Sequence, residues 1–224
     1  RMLLADAERG VERDLQDMPA VLASARDALG RTYQALGLYE EANRLLTSAL
    51  ETRIGLFGRN HPETATSIRN LARLRQDCSR YAEAEPLYRE AARIRLAHFG
   101  PDHPTAAESW HDEGIIASNR QDFPAARHAF QEAAALRGRL LGDQHAETLD
   151  SRESVAYANA SLGDFDAAVA DMRIVLNHTR LAFGPDHRKT AGRHVSLGKF
   201  LAESGELDEA ETHLRRGLEL FRSL

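Results

Sequence analysis

The chain has 224 residues, 42 % of them hydrophobic and 28 % charged, with a formal net charge of −5, so it can bury a core and lacks the composition of a disordered tail. Acidic and basic residues are interleaved rather than blocked, which excludes the basic footprint of a nucleic-acid-binding domain. The single Cys78 excludes an intrachain disulfide framework and a cysteine zinc site, and no apolar run reaches the ~18 residues of a membrane-spanning helix.

From the start of the chain, residues 2–17 predict a helix, because Leu4, Ala7 and Leu15 stand one period before Leu46, Ala49 and Phe57. It reads as the second helix of a truncated hairpin, capping the stack over residues 1–18. The chain opens on Arg1 rather than Met, and we expect it to be a segment of something longer.

Beyond it a 42-residue period runs through His61, His103, His145 and His187, and every other marker keeps the same step. Small residues recur at Gly30, Ala72, Gly114, Ala156 and Gly198, alanines at Ala42, Ala84, Ala126, Ala168 and Ala210, and bulky residues at Leu46, Tyr88, Phe130, Met172 and Leu214. The small residue precedes the alanine by 12 positions and the alanine precedes the bulky residue by 4, which is helical spacing interrupted once by a turn. Each period is therefore a helix hairpin, with turns at Gly37, Ser79, Gln121, Gly163 and Gly205. Repeats 1 to 5 occupy residues 19–60, 61–102, 103–144, 145–186 and 187–224, and with the entry helix the chain has about 11 helices.

Between hairpins the sequence reads Gly58-Arg59-Asn60-His61-Pro62 and Gly100-Pro101-Asp102-His103-Pro104. Gly is expected to supply a left-handed conformation that closes one helix, and Pro sits in the first turn of the next. His, or the residue before it, is the N-cap. Stacked helix layers would hold equivalent histidines roughly 20 Å apart, far beyond shared ligation of one zinc ion, so no metal is assigned to them. In the last helix, Leu214, Leu218 and Phe221 form an apolar stripe with nothing after it to cover it, a candidate self-association surface. No phosphate loop, zinc-hydrolase pair or nucleophile elbow occurs, so we expect no catalytic residues and no cofactor, and any catalytic domain to lie outside this chain.

The small, alanine and bulky positions, with Trp110 at the place where that family prefers Trp, resemble the tetratricopeptide repeat. The 42-residue period, Tyr81-Ala82-Glu83-Ala84-Glu85-Pro86-Leu87-Tyr88 and Phe99-Gly100-Pro101-Asp102-His103-Pro104 are similar to its kinesin light chain variety. The entry segment Leu3-Leu4-Ala5-Asp6-Ala7-Glu8-Arg9, with Ala28-Leu29-Gly30-Arg31-Thr32-Tyr33, resembles the point where bacterial serine/threonine kinases enter such arrays. These resemblances imply an all-α, right-handed α-solenoid whose concave groove binds a peptide or flexible segment of a partner protein. They leave open a stand-alone cytoplasmic scaffold or a regulatory domain following a membrane span.

The family register places the groove on the first helix of each hairpin. It comprises Arg31 and Gln34, then Thr66, Arg69, Asn70, Arg73 and Asp77, then Glu108, His111, Asp112 and Ser118. Asp150, Glu153 and Tyr157 follow, and finally Ser196 and Lys199. This lining runs from cationic, through Arg31, Arg69 and Arg73, to anionic, through Glu108, Asp112, Asp150 and Glu153. The expected ligand is a segment of mixed charge, and no nucleic acid or direct membrane insertion is expected.

Overall fold

The computed structural model describes residues 2–223, which form eleven α-helices and no strand. The chain divides into two compact units, Arg1–Pro101 and Asp102–Leu224. The first unit holds α1 (Met2–Asp14), α2 (Pro19–Ala35), α3 (Tyr39–Phe57), α4 (Pro62–Asp77) and α5 (Tyr81–Phe99). The second holds α6 (Pro104–Asn119), α7 (Phe123–Leu141), α8 (Ala146–Ser161), α9 (Phe165–Phe183), α10 (Arg188–Ser204) and α11 (Leu207–Ser223).

The histidines start helices. His61, His103, His145 and His187 are N-caps in extended backbone, and each Nδ1 accepts the N–H two residues on, from Glu63, Thr105, Glu147 and Lys189, at 3.1–3.3 Å. Each imidazole thereby satisfies one of the unpaired donors of a helix start, the role more often filled by Ser, Thr or Asp. One turn inside the helix, the hydroxyls of Thr64, Thr148 and Thr190 donate to the carbonyls of Gly58, Gly142 and Gly184 at 2.7–2.9 Å, tying the junction to the new helix.

Those junction glycines depart from the expected left-handed cap. Their φ angles of 79–94° go with ψ of 161–177°, a mirror-extended region that a side chain cannot enter without strain. The backbone leaves the helix extended instead of curling into one more turn, which lets His follow three residues later as the next cap. The hairpin turns do take positive φ, at Gly37, Gly163 and Gly205, and also at Ser79 and Gln121.

Inside a hairpin, the small column seats the bulky column. A Cβ on Gly30 would lie 2.7 Å from Leu46, one on Gly114 2.5 Å from the Phe130 ring, and one on Gly198 2.7 Å from Leu214. In the first unit the core gathers Tyr33, Leu45, Leu46, Leu50, Ile68, Leu71, Leu74 and Ile94, with Leu4 of α1 packed against it. In the second, Met172, Val175, Leu176, Leu197, Phe200 and Leu201 form the largest cluster, and Ala117, Ala126, Phe130, Val155 and Ala158 a smaller one. The entry helix is tied on by polar contacts as well, since Arg26 grips the Glu12 carboxylate in a bidentate pair at 2.6–2.7 Å.

Candidate interaction surfaces

The expected groove residues of the first unit lie on α2 and α4. Gln34 is buried and its Nε2 donates to Asp77 Oδ2 at 2.6 Å, bridging the C-terminal ends of the two helices. Arg31 stands one turn before Gln34 and Arg73 one turn before Asp77, so helical geometry sets both guanidinium groups on the approach to this bridge. Both are exposed, and among the described residues neither makes an ion pair. Thr66 is spent on its own helix, donating to the Pro62 carbonyl at 3.2 Å. Arg69 is half-buried, and Asn70 is buried, so its carboxamide does not stand on the solvated face expected of it. A polar residue that faces the neighbouring helix and one that faces water keep the same spacing.

In the second unit the expected anionic lining is compensated within the fold. Asp112 of α6 is only 3 % exposed, His111 packs its ring 5.2 Å from that of Phe130, and Glu108 and Ser118 are half-buried. On α8, Asp150 and Glu153 do not form a bare anionic strip. Arg193 of α10 donates to Asp150 Oδ1 at 2.7 Å and to Glu153 Oε2, so one guanidinium serves two carboxylates. Burial pushes the Glu153 carboxyl above the usual carboxylate range, and Arg193 pulls against that shift. Beside it the Tyr157 hydroxyl and Ser196 Oγ are 2.8 Å apart, and the Tyr157 ring meets Phe200 edge-on at 5.0 Å. Lys199 is exposed.

Sequence reasoning missed Arg193, although its column carried the signal. The corresponding residues of earlier repeats are Ser67, Ser109 and Ser151, and Ser67 and Ser151 each receive a buried arginine from the preceding helix. Arg53 Nη1 donates to Ser67 at 2.7 Å and pairs with Asp27, and Arg137 Nη1 donates to Ser151 at 2.6 Å. In the next repeat the arginine column carries Thr179 and the serine column carries Arg193. The cation has changed sides, and that shift brings it to Asp150 and Glu153.

The α11 stripe remains open among the described residues, with Leu214 36 %, Leu218 49 % and Phe221 43 % exposed. One period earlier, Met172, Leu176 and Thr179 are buried. No group of three or more metal-ligating side chains occurs among the described residues, and none of their helices is long and apolar enough to cross a membrane.

Solved structures share this fold. BtubC (BKLC) from P. vanneervenii matches with a TM-score of 0.80 at 18 % identity, covering 99 % of this chain and 89 % of its own. A kinesin light chain-like protein of nearly identical TPR-like repeats from Podosopora anserina matches with a TM-score of 0.72 at 21 % identity, over 92 % and 97 % of the two chains. The APC/C hetero-tetramer Cut9-Hcn1 contributes a chain that matches with a TM-score of 0.71 at 16 % identity, covering 97 % of this chain and 36 % of that one. A search of curated proteins found no significant match. The tetratricopeptide repeat model itself fits residues 21–97, 69–138 and 147–223, and with the hairpins and their kinesin light chain-like period the chain belongs to the tetratricopeptide repeat family.

Proposed function

We propose that the chain is a non-catalytic scaffold that holds an acidic, flexible segment of a partner protein on the α2–α4 face of its first unit. The observation that carries this reading is the pair Arg31 and Arg73, exposed at the same repeat position on both sides of the Gln34–Asp77 bridge. Such guanidinium groups present five donors each in a planar fork suited to carboxylates. Tetratricopeptide proteins are in general scaffolds, and a fold neighbour was solved within the Cut9-Hcn1 assembly. The basic stretch expected at the second unit is not retained in the proposal, because Asp150 and Glu153 are engaged by Arg193 and Asp112 is buried.

The test is fluorescence anisotropy with a labelled Glu-rich peptide in a Gly/Ser background, on wild type and Arg31→Glu/Arg73→Glu. Binding should fall at least tenfold with the helical circular dichroism unchanged, and binding that survives the double reversal sinks the reading. A second reading is self-association through Leu214, Leu218 and Phe221, favoured by their exposure where the preceding repeat buries its counterparts. Sedimentation of wild type and Leu218→Glu at several concentrations decides it, and a concentration-independent monomer in both rejects it.

A further inference from the structure

A cavity of about 580 Å³ lies within the second unit, between α7 and α9 with α8 as its floor. Its origin is visible in the repeat register. At the same place in the first unit, Leu50 and Ile54 of α3, Ile68 and Leu71 of α4 and Leu87 of α5 pack together as core. Two periods further along, those residues are Ala134, Gly138, Arg152, Val155 and Asp171, and all five line the cavity. One period beyond that, the place is occupied by Leu176, Arg180, His194, Leu197 and His213, with the two imidazole Nδ1 atoms 2.8 Å apart. Only between α7 and α9, of these three places, have side chains been cut back to Ala and Gly while an opposite pair of charges was set into the walls.

The charges are not equivalent. Arg152 already donates to Asp143 Oδ1 at 2.7 Å, and Arg139 at the rim has Asp102 at 3.9 Å. Asp171 is half-buried, and its one hydrogen bond among the described residues is from Asn159 Nδ2, at 2.9 Å to Oδ2. Burial raises its carboxyl above the usual range, and Asn159 and Arg152 offset this only in part. Asp171 thus makes no ion pair among the described residues, and Ala134, Val155 and Ile174 add apolar surface to the same lining. The Gln131 side-chain carbonyl is a further acceptor on the lining, while Asp143 is already engaged by Arg152.

We propose that this cavity binds a small primary amine with a short apolar chain, its ammonium on the Asp171 carboxylate and its chain against Ala134, Val155 and Ile174. The volume falls within the ordinary range of small-molecule sites. The site is separate from the α2–α4 face, and either can fail without the other.

The probe is n-hexylamine, titrated into the full chain and followed by amide NMR shifts, with hexanoate and hexanol as charge controls. Shifts confined to α7, α8 and α9 are expected, with binding at least tenfold weaker for hexanoate, for hexanol and for Asp171→Asn. Gly138→Leu, which places a large side chain where Ile54 stands in the first unit, should abolish binding. If that variant does not fold, Ala134→Leu, which restores the residue found at Leu50 and Leu176, makes the same test. The proposal is overturned by absence of hexylamine binding in the low-millimolar range, by equal binding of hexanoate, or by an undiminished Asp171→Asn. Tighter binding of acetyl-lysine-amide than of hexylamine also overturns it, in favour of a partner's lysine side chain.

Discussion

Replacing Arg193 by Met tests whether the polar cluster between α8 and α10 is held by one cation. The methionine fills similar space but leaves Glu153 without its compensating charge, and the side chains of Arg193 and Glu153 are only 13 % and 17 % exposed. Asp150 is about half exposed and water can replace what it loses. Breaking a buried pair by removing one partner costs about 3 to 5 kcal/mol, and the open Asp150 places this case near 3. The pH dependence follows from Glu153, whose folded-state pKa already lies above its ordinary value. A carboxyl raised on folding binds protons more readily in the native state, so its ionisation costs stability as pH rises past the unfolded value. Without Arg193 that rise is larger, and the destabilisation should be greater at pH 7 than at pH 5. Urea denaturation of wild type, Arg193→Met and Arg193→Met/Glu153→Gln at both pH values measures this, and the double variant should regain most of the loss. A loss under about 1 kcal/mol at pH 7, or no recovery in the double variant, would refute the reasoning.

Two further outcomes follow from contacts already described. Gly114→Ala gains about 1 kcal/mol of helix propensity, but its Cβ would lie 2.5 Å from a buried ring, Phe130. Overpacking costs about 1 to 3 kcal/mol, so thermal melting should show a net loss, whereas Gly55→Ala, with nothing within 4 Å, should show a gain. If both move the melting temperature the same way, the close approach of small and bulky columns is not the constraint argued for. Burial, then His213, Arg216 and Arg180, depress His194 to about 4, and burial depresses His213 despite Glu209 beside it and with Arg173 acting in the same direction as burial. A histidine lowered on folding contributes stability that is full above its unfolded pKa of 6.5 and is lost as pH falls towards 4, so His194→Gln should flatten the melting profile across that window. An unchanged profile in the variant rejects the coupling.

The hairpins, turns and helix starts were legible in the sequence because local chemistry fixes them. A glycine needed at a φ no side chain tolerates, or a histidine capping its own helix, acts within a few residues and repeats with the period. The candidate surface was legible only by position. Asn70 and Asp112 keep the spacing of a solvated face, yet they are buried, because a polar residue packed inside its unit and one facing water share the same helical period. Arg193 could have been found by asking which residue breaks the serine column, and Thr179 by asking which breaks the arginine column. The cavity was harder to see, since Ala134 and Gly138 are unremarkable in a helix and their consequence is the absence of atoms that Leu50, Ile54, Leu176 and Arg180 supply at the same register elsewhere.

This contrast separates scaffold from function within one chain. A column that repeats unchanged, such as the four capping histidines or the junction glycines, answers a demand that every hairpin makes. A column that changes cannot be answering that demand, and where it is also exposed, neither packing nor capping fixes the residue. The position of Arg31 carries Arg73, Ile115, Tyr157 and Lys199 in the later repeats, on the first helix each time. Ile115 is packed against the second unit's smaller cluster and the Tyr157 ring leans on Phe200, so packing accounts for those two. Arg31, Arg73 and Lys199 are left as exposed cations, and of these only Arg31 and Arg73 stand on adjacent first helices joined by a side-chain bridge. That is why recognition of an acidic segment is assigned to the first unit rather than spread evenly along the repeats.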